Sequence, residues 1–180
     1  LNSGLNVTVS KNIKNTNKIE VDGNINLKGT GTTSNLKNTG EILATGNGNI
    51  DIKGDLENTK KIATGKALNI KANEITNKAG GTLQAAGDLD IQIKNGFTNE
   101  NTGKVLGGNI SIDGSKSTLN KGFVNKGEIQ SNGKLTVDLG KKQVDIILNN
   151  TSKMSSQDTM KLVTGGKIAS EGRLQNYGSL

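Results

Sequence analysis

Apolar residues in this chain come as short period-two pairs, separated by Gly, Asn, Asp and Lys. No stretch keeps the three-to-four spacing of an amphipathic helix. One phrase recurs from end to end: an apolar residue, any residue, then Asn. It stands at Ile13-Lys14-Asn15, Leu36-Lys37-Asn38, Leu56-Glu57-Asn58, Ile75-Thr76-Asn77, Phe97-Thr98-Asn99, Phe123-Val124-Asn125, Leu148-Asn149-Asn150 and Leu174-Gln175-Asn176. Successive Asn residues lie 23, 20, 19, 22, 26, 25 and 26 positions apart.

A second apolar position follows four or six residues after each of the first seven Asn: Ile19, Ile42, Ile62, Leu83, Val105, Ile129 and Met154. Ala44, Ala85 and Ser131 place a small residue two positions later. A third segment then brings a pair with period two: Ile25/Leu27, Ile50/Ile52, Leu68/Ile70, Leu89/Ile91, Ile110/Ile112, Leu135/Val137 and Met160/Leu162. Leu5, Val7 and Val9 read as the third segment of a repeat cut off at the start.

Period two means strands with one buried face. Three short strands in about twenty residues, with no two-residue hairpin signal, do not suit a meander or a sandwich. They predict an all-β, right-handed parallel β-helix of about seven coils, each of 19–26 residues with three short strands. Leu68 and Ile70 should then face the core and Asn69 the solvent. A single coil cannot fold, because ordering its backbone costs about 1–2 kcal/mol per residue against a handful of apolar side chains. Stacking adds ladder hydrogen bonds above and below and joins the small cores into one.

The recurring Asn has a physical role in this picture. Asn tolerates turn conformations, and amides stacked at the strand spacing can bond along the axis. Asn15, Asn38, Asn58, Asn77, Asn99, Asn125, Asn150 and Asn176 are therefore expected to form a structural ladder. A row of glycan-binding amides is the competing reading; recurrence at every rung favours the ladder. Residues 1–180 read as one β-helical segment of a larger chain. Length varies mainly at one corner, between a third segment and the next first one. Insertions are expected there at 28–35, 113–122, 138–147 and 163–173, where a solenoid usually carries any binding surface. Val144-Asp145-Ile146-Ile147 and Lys167-Ile168-Ala169-Ser170 could add strands outside the coil.

Composition narrows the function classes. Only 31% of the 180 residues are apolar and 2% aromatic; Gly stands at 25, Asn is as common, and Pro, Cys and His are absent. Without Cys there is no disulfide framework or thiolate site. Without His, imidazole acid–base catalysis and His metal sites are excluded. No apolar run approaches a membrane span, so no membrane insertion is expected. The start carries no signal-peptide pattern, which suits a mature or internal piece. The net charge of +7 comes from dispersed lysines, with Arg173 the lone arginine. Scattered lysines without aromatic partners argue for a solvated face and against specific nucleic-acid binding.

Two segments carry a fuller phrase: Asn38-Thr39-Gly40-Glu41-Ile42-Leu43-Ala44-Thr45-Gly46 and Asn125-Lys126-Gly127-Glu128-Ile129-Gln130-Ser131-Asn132-Gly133. This pattern resembles the haemagglutinin repeats of filamentous-haemagglutinin-type exoproteins, and the resemblance covers almost the whole chain. It implies a virulence-associated, secreted bacterial surface protein exported by two-partner secretion. Such a protein is an adhesin or the stalk of a contact-dependent growth-inhibition toxin. The implied partners are an outer-membrane two-partner secretion transporter, engaged by the parent elsewhere, and a receptor or glycan on a host or neighbouring cell. The NPNG- or NPNL-like motif of the secretion domain is impossible without Pro, and the VENN motif before a toxin tip is absent. The chain therefore resembles an internal piece of shaft, with no cofactor implied.

Parallel β-helices also house polysaccharide hydrolases and lyases, so a carbohydrate-active enzyme is the alternative. Paired carboxylates can cleave glycosidic bonds, and Asp51/Asp55 or Asp88/Asp90 are the nearest candidates. Asp88 and Asp90 flank Leu89, as on any solvated strand. Arg173 stands alone as a lyase-type base. Gly46-Asn47-Gly48-Asn49-Ile50-Asp51 is similar to a calcium nonapeptide, but its Asp falls one place late and the phrase does not recur. No catalytic, metal or cofactor residue is assigned, and the chain is read as a non-enzyme.

Overall fold

The structure, a computed structural model, describes residues 4–178. Its strands coincide with the three segments of each repeat except in the last two turns, and no helix occurs among the described residues. Pairing is parallel throughout, from Leu5–Val9 on Ile25–Gly29 to Lys153–Ser156 on Arg173–Asn176. The chain winds as a β-solenoid of about 8 turns, which agrees with the expected parallel β-helix of about seven coils plus partial ends.

Each segment type builds its own face. Second segments form an eight-stranded sheet running from Lys18–Val21 to Arg173–Asn176. Third segments stack from Leu5–Val9 to Met160–Val163, and first segments from Ile13–Asn15 to Ile168–Ser170. In the two middle turns the third and first segments run as one strand, Leu68–Asn77 and Leu89–Asn99. A bulge between Ala72 and Glu74 turns the first of these around the corner without ending it.

Alternation puts Leu68 and Ile70 fully inside and Asn69 outside. The core is a column of Ile, Leu and Val one rung above the next. Phe97 and Phe123 are in register and stack with ring centroids 5.3 Å apart and planes 8° from parallel. One third-segment pair is displaced by two residues from its expected place. Gly48, and not Ile50, lies opposite Leu68, while Ile50 lies opposite Ile70. A Cβ on Gly48 would come within 2.8 Å of the Leu68 side chain and 2.7 Å of Thr64. The neighbours have grown into the room that a side chain would take.

Candidate functional site

Six of the expected amides stack in register along the core edge. The side-chain Nδ2 of Asn15 donates to Oδ1 of Asn38 at 2.8 Å. The chain continues at 2.8 Å from Asn38 to Asn58, from Asn58 to Asn77 and from Asn77 to Asn99, and at 2.9 Å from Asn99 to Asn125. All six are buried. Each also donates to carbonyls around its turn, as Asn38 does to Gly40 (2.8 Å) and to Lys61 one rung on (3.0 Å). The amides thus satisfy a corner that water cannot reach.

The last two expected members lie elsewhere. The residue in register with Asn125 is Leu148, so Asn150 falls two places beyond the row and is exposed. Asn176 belongs to the second face, where it pairs with Ser156 and accepts that hydroxyl's hydrogen bond at 2.7 Å. The first segment of the last turn is Ile168–Ser170, in register with Ile146–Leu148. Neither Ile146-Ile147 nor Ile168-Ala169-Ser170 is therefore a strand outside the coil; both are coil strands. The corner loops shorten accordingly to 30–35, 114–121, 139–145 and 164–167.

The other corners carry polar rows that the recurring phrase does not reveal. Asn24 accepts the backbone N–H of Asn47 at 2.8 Å, and Asn47 accepts that of Ala67 at 3.1 Å. Asn109 does the same for Lys134 at 2.9 Å. At the variable corner Asn12 serves Asn35, Asn35 serves Asp55, and Asp145 serves Lys167, at 3.0, 2.7 and 2.8 Å. The signal was present in the sequence as Asn or Asp directly before a strand start, apolar in each case but Gly48. Its meaning depends on the rung above.

The two carboxylate pairs are tied into this framework. Asp88 accepts from the Asn109 amide at 2.9 Å, and Asp55 from that of Asn73 at 2.8 Å. Burial, and then the charge of Asp88, push the Asp90 carboxyl above its ordinary range. Arg173 is exposed on the last strand of the second face. Charge elsewhere is paired between rungs, as in Lys37–Glu57 (3.0 Å) and Lys78–Glu100 (2.9 Å). The hydrogen bond from Lys78 holds the Glu100 carboxyl below the usual range.

The loop 114–121 is anchored to the coil at three points. Ser117 bonds the Ile93 carbonyl at 2.5 Å, Leu119 is buried, and Lys121 pairs with Glu74 at 2.8 Å. The family model of the haemagglutinin repeat matches residues 1–60 and 44–178. The chain belongs to the haemagglutinin-repeat family. No curated protein and no solved structure matches it. Haemagglutinin repeats form a structural and adhesive family, not an enzymatic one, and their proteins are generally secreted.

Proposed function

We propose that this haemagglutinin-repeat chain is a length of β-helical shaft in a large bacterial surface protein. The parent would reach the surface by two-partner secretion and act in cell adhesion or in presenting a distal binding or toxin domain. The observation that supports the reading is the unbroken stacking of the described turns: third segments pair in order from Leu5–Val9 to Met160–Val163, and second segments from Lys18–Val21 to Arg173–Asn176. Each rung adds the same strands to its neighbour, which is how a solenoid elongates.

Removing one rung tests the shaft. Ile75 is in register with Leu56, so deleting residues 56–74 joins Asp55 to Ile75 in phase and costs one layer. The shortened parent should fold, be exported, and form a fibre shorter by about 4.8 Å. Deleting 56–65 instead brings an inward segment to the wrong corner and should misfold. Equal circular dichroism and melting for the two deletions would overturn the reading.

A further inference from the structure

The outer surface of the second-segment sheet carries two columns of side chains that neither the core nor the amide rows explain. Each strand turns two side chains outward, and parallel pairing stacks them rung on rung. The first column reads Lys18, Glu41, Lys61, Thr82, Lys104 and Glu128. The second, two residues further along each strand, reads Glu20, Leu43, Ala63, Gln84, Leu106 and Gln130. Leu43 and Leu106 are only partly buried and stand three rungs apart.

Charge alternates along much of the first column but is only partly used within one chain. Lys18 pairs with Glu20 at 2.6 Å, and Glu128 with Lys153 at 3.6 Å. Glu41, Lys61 and Lys104 take part in no ion pair among the described residues. Two shallow hollows lie along the second column. Glu20, Leu43 and Ala63 help line one of about 200 Å³, and Gln84, Leu106 and Gln130 help line the other, about 220 Å³. The corresponding third-segment column of Asn26, Asn49, Asn69 and Asp90 offers neither apolar side chains nor alternating charge.

We infer that this face packs against the same face of a second copy of the chain, with the two solenoids antiparallel. A dyad along the strands, midway between the rungs of Ala63 and Gln84, sets Leu43 against the second copy's Leu106. It also sets Glu41 against the second copy's Lys104 and Lys18 against its Glu128, and each contact is made twice. The hollow at Leu43 then faces the hollow at Leu106. The strands stay aligned across the interface, as in ordinary sheet-on-sheet packing.

The charges select this register. Sliding one rung one way puts Glu41 on Glu128 and Lys61 on Lys104. Sliding the other way puts Lys18 on Lys104 and Lys61 on its own copy. Like charges so placed repel, which rejects both alternatives. Parallel solenoids, related by a dyad along their axis, would turn each first column onto a second one and set Glu41 against Leu43. The matched patch is about 25–30 Å long at the strand spacing, which suits a reversible pair better than a permanent one. The pairing needs only the second-segment sheet and does not depend on how the parent is exported.

Sedimentation equilibrium of the whole chain tests it. A reversible monomer–dimer equilibrium is expected, weakened as salt rises. E41K and K104E should each weaken the dimer about tenfold or more at little changed melting temperature. The double variant E41K/K104E should regain it, and an equimolar mixture of the two single variants should form a mixed dimer. K14E, on another face, should leave the equilibrium unchanged. The chain has no Cys, so introduced cysteines report cleanly. L43C/L106C should give a disulfide-linked dimer on mild oxidation. L43C alone should not, because its two copies lie three rungs or about 14 Å apart, beyond disulfide reach. A chain monomeric up to about 1 mM, a dimer indifferent to E41K and K104E, or ready cross-linking of L43C alone would overturn the assignment without touching the rung deletion.

Discussion

Asn125 and Leu148 occupy the same position on consecutive rungs, and the amide ladder ends between them. The Asn125 Nδ2 keeps only the bond to a carbonyl one rung on that the other members also make, here that of Lys153 at 3.1 Å. Leu148 is itself buried, so the row passes from hydrogen bonding to plain packing within one strand spacing. Replacing Leu148 by Asn should therefore be tolerated unusually well for a core position, at under about 2 kcal/mol, because an amide waits in register below. Leu135→Asn, set between Ile110 and Met160 with no amide on either side, should cost roughly 3–5 kcal/mol. Denaturant melts of both variants decide it; equal losses would mean that Asn125 offers the new amide nothing.

Asn77 stands within the ladder and bonds both its neighbours. Asn77→Ala removes the Oδ1 to which the Asn58 Nδ2 donates and leaves the Asn99 Oδ1 without its donor, a loss of about 2–4 kcal/mol. Asn150→Ala, outside the row and exposed, should stay within about 0.5 kcal/mol of the parent. A ranking by thermal melting that placed Asn150 beside Asn77 would contradict the register.

Ile70 and Asn69 are neighbours on one strand with opposite fates. Ile70→Asp buries an unpaired carboxylate and should remove more than about 3 kcal/mol, while Asn69→Asp leaves its charge in solvent and costs little. Similar melting temperatures for the pair would mean that the strand faces are misassigned.

Asp90 has a pH signature. Its carboxyl titrates above the ordinary value because burial, and secondarily Asp88, disfavour the charge. The folded state thus binds the proton more readily than the unfolded one, so ionisation at neutral pH weakens folding and protonation in acid relieves it. Asp90→Asn should raise the melting temperature at pH 7, and the gain should fade as pH falls through the carboxylate range. A gain that persisted unchanged at pH 3 would point to packing, not charge. Glu100 acts in the opposite sense. Lys78 lowers its titration, so its contribution is present above the unfolded carboxylate value and is lost as pH falls through the lower, folded one.

The sequence by itself determined the strands, their faces and the family. Period-two pairs such as Leu68/Ile70 need only their own alternation to say which side is buried, and the repeated phrase around Asn38 and Asn125 says that the turns are alike. What only the tertiary structure decided is which turn-piece rests on which. Leu174-Gln175-Asn176 spells the first-segment phrase as well as Leu56-Glu57-Asn58 does, yet it stacks on Lys153–Ser156 of the second face. Gly48 took a core position because Leu68 and Thr64 reach into it. The hollow of about 380 Å³ beside Lys71 is walled by Lys116 to Thr118, more than forty residues further along the chain, because the loop 114–121 reaches back over earlier rungs. Faces are set by neighbours along the chain, but register is set by hydrogen bonds and packing to a rung some twenty residues distant, and no local pattern encodes that choice.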